Sequence, residues 1–232
     1  MPSISVARNS NLSFTPSYVP TILITGATSG IGQTMSEIFA RNLHGRAHII
    51  LVGRNRAAAE RIIASFPTPP SSGNTGAKYT YEFIQCDVTL MKNVHSMAKE
   101  LLRRLTKINF LVHCAGVAGL RGRVDTVEGI DKKMAVRYYA RFALSYDLLP
   151  LLRKAQKMGE PAAVEFVFGS GVAPEIDLDD LGLRNTYTGF KAMFQTGSYA
   201  DVILAVSSAL LGATSLYWLV SQEFARREPD IA

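Results

Sequence analysis

Cysteine is scarce in this chain. Cys86 and Cys114 are the two present, each at the end of a predicted strand, the two strands taken as neighbours. Two such thiols make no disulfide framework; they behave as small buried hydrophobes and predict a reduced, cytoplasmic compartment. The four histidines share no ligand spacing with either cysteine, so no metal is expected. The start lacks a basic segment followed by an apolar stretch, so no secretory signal is expected, and the triplet Asn11-Leu12-Ser13 means little without secretion. Internal repeats are missing. Acidic residues are fewer than basic ones, 19 against 25, for a net charge of +6. The basic residues come in pairs such as Arg103-Arg104, Lys132-Lys133 and Arg153-Lys154, set between apolar positions as on a solvated helix face. Without a basic face interleaved with aromatics, nucleic acid is not expected as a partner.

Apolar residues are plentiful, at 47%, enough to bury one sizeable core. Residues 1–18 are rich in Ser, Asn and Pro and predict a flexible arm, leaving 19–232 as a single domain. Pro67 to Gly76 reads as a loop. Strand-like runs at Thr21–Ile24, Ala47–Val52, Tyr81–Gln85, Ile108–Val112 and Val164–Phe168 alternate with helical patterns, among them Met91 to Leu105 and Lys132 to Leu152. That alternation predicts an α/β fold with a parallel sheet.

The most informative segment is Thr25-Gly-Ala-Thr-Ser-Gly-Ile-Gly32, between the first strand and a helix carrying Met35, Ile38, Phe39 and Leu43. Gly26 permits a tight turn, Gly30 leaves room for backbone to approach a pyrophosphate, and Gly32 lets the helix pack closely. The helix N-terminus then offers free N–H groups and a positive dipole end to phosphate. After the second strand, Gly53-Arg54-Asn55 carries no acid to accept bonds from a ribose 2′-OH, whereas Arg54 suits a 2′-phosphate. Asp87 ends the third strand and also reads as an N-cap for the following helix.

This glycine turn resembles that of the short-chain dehydrogenase/reductase family. So does Tyr187-x-x-x-Lys191, which follows the strand-end serine Ser170 in the family's order. The resemblance implies a doubly wound Rossmann-type sheet of order 3-2-1-4-5. It places NADP on Gly26, Thr28, Ser29, Gly30, Ile31, Gly32, Arg54, Asp87, Val88, Ala115, Gly116, Tyr187 and Lys191. A basic chain suits steering of such an anionic cofactor. Ser170, Tyr187 and Lys191 are the expected catalytic residues for hydride exchange with a carbonyl or alcohol substrate. Residues four apart share a helix face, so Tyr187 and Lys191 are expected in one pocket. There the ammonium and a nicotinamide cation lower a phenol pKa from about 10 toward neutrality. Ser170 would hold the substrate oxygen. Thr196-x-x-Tyr199-x-Asp201 after the motif resembles fungal members and implies a setting in secondary metabolism.

Three departures stand out. His113-Cys114 replaces the family's two asparagines before Ala115-Gly116. Arg137 takes the place of an asparagine that supports the catalytic lysine, and sequence leaves open whether it perturbs that lysine or points elsewhere. No Pro-Gly follows Lys191; instead Val202 to Ser221 is 20 residues without charge. Its length fits a bilayer span with Tyr217-Trp218 as an anchor, but five Ser/Thr residues favour a buried helix prolonged into a packing or homo-oligomer surface over a membrane tether. The expectation is a chain truncated before the last two family strands. Its rival in function is a cofactor-binding protein with little or no turnover.

Overall fold

The computed structural model describes residues 3–68, 79–117, 119, 122–168 and 174–211. Five strands, β1 (Thr21–Thr25), β2 (His48–Gly53), β3 (Thr80–Gln85), β4 (Phe110–His113) and β5 (Ala163–Phe166), form one parallel sheet of order β3-β2-β1-β4-β5. This is the Rossmann-type order the resemblance implies, with its reversal of direction between β1 and β4.

Each central strand is a short apolar run because it is covered on both faces. Alternate residues of β1 divide between two cores. Leu23, Ile50, Leu111, Val164 and Phe166 face α4 (Met91–Arg104) and α6 (Ala140–Lys157). Ile22, Ile24, Ile49, Leu51 and Val112 face the other layer, α2 (Gly30–Asn42) and α3 (Arg56–Ala64). The α4 residues Val94, Met97, Ala98 and Leu101 lie one helical turn apart on a single stripe and are all buried.

Several local readings are corrected. Residues 4–13, within the segment read as a loose arm, form α1 (Ile4–Ser13), capped by the Ser3 side chain. Phe14 then packs edge-on against Phe110 at 6.0 Å, and Lys107 sits over the Tyr18 ring, so the arm is anchored to the domain. Cys86 and Cys114 are not on neighbouring strands, because β2 and β1 lie between β3 and β4. Asp87 does not cap α4: its carboxylate accepts from the Thr89 amide and hydroxyl at 3.0 and 2.9 Å. The first amides of α4, Met91 and Lys92, donate instead to the Glu128 carboxylate at 2.6 and 2.9 Å.

The helix expected from Lys132 to Leu152 is interrupted. It begins as α5 (Lys132–Met134), widens into a π turn over Ala135–Tyr139, and continues as α6. The last helix, α7 (Gly189–Leu211), includes the first half of the uncharged run; residues 212–221 of that run lie outside the described residues. Among the described residues no helix is long and apolar enough to cross a membrane.

Candidate functional site

The glycine turn is shaped by close approach. The Gly26 and Ala27 amides donate to the Val52 carbonyl at 2.9 and 3.3 Å, drawing the turn onto β2. Gly26 has φ +72°, and a Cβ there would lie 2.6 Å from the Ala115 backbone. A Cβ on Gly32 would fall 2.3 Å from the Gly26 carbonyl oxygen and 3.0 Å from Cys114. Gly30, at φ +56°, has no protein atom within 4 Å of that position. Its face is therefore open, as approach of a phosphate requires. Ser29 stands at the α2 N-terminus in extended conformation, and its side chain makes no capping bond, so the first amides of α2 remain available. Ile31, next in the turn, is exposed.

At the end of β2, Gly53 makes room for Thr28, whose Cγ2 would be 2.8 Å from an added Cβ. Arg54 is exposed, its carbonyl accepting from Gln85 at 3.3 Å, and Asn55 caps α3 through the Ala58 amide at 3.0 Å. Arg54 thus reaches solvent beside the turn with no acid adjacent in sequence. Asp87 and Val88, both partly exposed, end β3 along the same rim.

Beyond β4, Ala115 is buried against the turn and Gly116 is exposed. His113 and Cys114 point to opposite faces of the sheet. The His113 ring is stacked on Phe166 with centroids 5.0 Å apart and shares a 3.0 Å hydrogen bond with Ser145. Burial, helped by the charge of Arg141, pushes its pKa well below the ordinary value, so it stays neutral. Cys114 lies against Met35, and burial pushes its thiol up to about 12, which makes it a packing group.

The Tyr187-x-x-x-Lys191 segment differs from its expected geometry. Tyr187 precedes α7 rather than lying on it, because Thr188 takes the capping position: its hydroxyl accepts from the Lys191 amide at 2.9 Å. The four-residue spacing therefore does not bring the two side chains together. Lys191 instead donates to the Thr186 hydroxyl and, at 3.4 Å, to the Asp177 carboxylate. The Tyr187 ring packs with Met134 and Ala192, and its hydroxyl accepts from Lys133 at 3.0 Å while donating to Asp131 at 3.1 Å. Burial raises the phenol pKa, Asp131 raises it further, and the Lys133 hydrogen bond opposes both; the net shift is upward, not toward neutrality. Ser170 lies outside the described residues.

Two groups escaped the sequence reading. Asp131 is an N-cap whose one oxygen accepts the Lys133 and Met134 amides while the other holds Tyr187; an acid before a helical run was the visible signal. Lys133 meets the tyrosine only because the fold brings the start of α5 to the Thr186–Thr188 segment. Burial, helped by the charge of Arg137 on the preceding turn of the helix, pushes Arg141 down to about 10. Burial lowers Arg137 itself.

The parallel order, the reversal between β1 and β4, and a glycine turn with an uncapped helix N-terminus at that reversal define a Rossmann-type α/β domain. A family model described as short chain dehydrogenase matches residues 20–164. The chain belongs to the short-chain dehydrogenase/reductase family. It is 34% identical over 182 residues to "Oxidoreductase AN1596" of Emericella nidulans, an alignment covering 78% of this chain and 51% of the relative. The chain spans about half the length of the curated relatives it matches. Among solved structures it resembles a short-chain dehydrogenase from Sphingobium yanoikuyae in complex with NADPH, at TM-score 0.58 and 25% identity over 83% of this chain and 66% of that one. It also resembles the bulky-bulky ketone specific alcohol dehydrogenase from Comamonas testosteroni, at TM-score 0.60 and 25% identity over 87% of this chain and 71% of that one.

Proposed function

We propose that the protein is an NADP-dependent oxidoreductase of the cytoplasm that acts on a carbonyl or alcohol substrate. The observation that carries the cofactor choice is the rim formed by the open Gly30 face and the exposed Arg54 with no acid beside it. The turn amides and the α2 N-terminus would hold the pyrophosphate, and Arg54 would pair with the 2′-phosphate. Asp87 and Val88 would flank the adenine; Ala115 and Gly116 would support the ribose. Bound NADP or NADPH would supply the hydride chemistry. Tyr187 would hold or release the proton at its phenol oxygen, and Ser170 would orient the substrate oxygen. The likeness to an NADPH-bound dehydrogenase and to a ketone-specific one supports this reading. The Thr196-x-x-Tyr199-x-Asp201 segment is what points to secondary metabolism as its setting.

One observation favours a second reading, cofactor binding with little turnover. Tyr187 is engaged by Asp131 and Lys133, while Lys191 is engaged elsewhere. Both readings are tested by fluorescence titration with NADPH and NADH, followed by a ketone and aldehyde screen. NADPH should bind more tightly, and Arg54→Ala should weaken NADPH by ~10- to 100-fold, the equivalent of losing about 1.5–3 kcal/mol of a charge-assisted contact, with NADH unchanged. Equal affinities in the unaltered protein would overturn the NADP assignment. Tight NADPH binding with no turnover in the screen would favour the second reading.

A further inference from the structure

The Tyr187 hydroxyl sits between two groups of opposite charge. It donates to the Asp131 carboxylate at 3.1 Å and accepts from the Lys133 ammonium at 3.0 Å. Asp131 is 1% exposed, so little water screens it from the phenol. Three backbone amides fix its place. Lys133 and Met134 donate to one oxygen at 3.0 and 3.2 Å, and Val124 donates at 3.1 Å to the oxygen that also takes the phenol. A carboxylate held there favours the protonated phenol, because losing the proton would set two anions against each other across one contact.

The remaining charged groups do not reverse this. Arg123 lies 5.8 Å from the ring centroid and is paired with Asp125 at 2.8 Å. Lys191 on α7 is turned to Thr186 and Asp177. The tyrosines packed in the same cluster, Tyr138, Tyr139 and Tyr199, are uncharged phenols in the neutral range. Burial raises the Tyr187 pKa, the Lys133 hydrogen bond lowers it and Asp131 raises it, for a net upward shift.

We propose that Asp131 is a positioning residue for the reaction, keeping the proton on the Tyr187 phenol so that the group gives up a proton at neutral pH and takes one up only in alkali. The inference rests on the oxidoreductase reading for the reaction this proton serves. In the reducing direction the phenol O–H bond breaks and its proton passes to the substrate oxygen as hydride reaches the carbonyl carbon. The phenolate left behind keeps the Lys133 hydrogen bond until water returns a proton. Alcohol oxidation runs the reverse course and needs the phenolate first. The same rod reaches the cofactor turn: past the π turn, Arg141 donates through Nη2 to the carbonyl of Ala115, the residue against which Gly26 packs, at 2.9 Å.

The test follows the Tyr187 ζ-carbon by ring-carbon NMR, its resonance assigned by its absence in Tyr187→Phe. In the unaltered protein it should titrate above the free-tyrosine value of about 10. Asp131→Asn keeps an oxygen for the backbone amides but removes the charge, so the midpoint should fall by about one pH unit or more. A smaller shift would make Asp131 a helix cap alone and overturn the proposal. So would a midpoint at or below about 10 in the unaltered protein, a measurement that stands even if Asp131→Asn fails to fold. For any ketone found in the screen, oxidation of its alcohol should rise with pH along the Tyr187 midpoint and move to lower pH in Asp131→Asn. A profile that stays in place in that variant would overturn the proposal. The NMR shift in a protein that turns over no ketone would leave the Asp131–Tyr187 pair standing while the oxidoreductase reading falls.

Discussion

Gly26 and Gly30 offer a sharp contrast, because the same substitution meets different surroundings at each. Both have positive φ, +72° and +56°, so alanine at either position costs about 1–2 kcal/mol in backbone strain. At Gly26 the new Cβ would also lie 2.6 Å from the Ala115 Cα and N, atoms fixed in the backbone that cannot rotate aside. Overpacking of that kind adds about 1–3 kcal/mol, for a total of about 2–5 kcal/mol. For a domain of this size the melting temperature should fall by ~5–20 °C. At Gly30 the Cβ meets nothing, so only the strain remains and the fold should survive. The binding consequence is the reverse in proportion: Gly30→Ala places a methyl group where a pyrophosphate is expected and should weaken NADPH at least tenfold. Thermal unfolding and NADPH titration of both variants provide the check. Equal destabilisation by the two substitutions would refute the close approach to Ala115, and unchanged NADPH affinity in a folded Gly30→Ala would remove the phosphate from this turn.

Three further outcomes are expected. Tyr187→Phe should abolish any ketone reduction while leaving NADPH affinity nearly intact, because the phenol oxygen contributes to proton transfer rather than to cofactor phosphates. Lys133→Met rather than Lys191→Met should raise the Tyr187 titration further, read by ring-carbon NMR, since Lys133 is the ammonium donating to that phenol. Glu165 on β5 is pushed up to about 7 by burial. The folded state then keeps a proton that the unfolded chain releases near pH ~4.3, so stability should fall as pH rises from about 4.5 to 7, by up to roughly 3 kcal/mol. Urea unfolding of Glu165→Gln should show that decline flattened, and an unchanged slope would count against a buried carboxyl.

The central strands were legible because a strand covered on both faces must be a short continuous apolar run, and runs such as Thr21–Ile24 and Ala47–Val52 lie within a residue of the observed elements. Strand order came from the resemblance; nothing in the runs themselves says that β1 sits between β2 and β4. The glycine turn was equally legible, since its roles follow from backbone geometry that only glycine satisfies. What escaped the sequence depended on distant partners. Asp87 looked like a cap until Glu128, from another loop, took the α4 amides. Tyr187 looked helical, but the Thr188 hydroxyl starts α7 one step later. The α1 segment has too little apolar character to announce a helix. Lys133 and Arg141 sat in a helical pattern that gave no sign of which would meet Tyr187 and which Ala115.

The π turn over Ala135–Tyr139 has a consequence for how these two arginine and tyrosine sites are kept in step. A π turn winds one more residue into the helix than an α turn does. Winding the same residues as ordinary α-helix would swing everything before the turn by ~100° relative to everything after. Asp131 and Lys133 lie before the turn and Arg141 after it, so the bulge acts as a phase adjustment on one rod: its extra residue lets the front half face the tyrosine while the rear half faces the sheet.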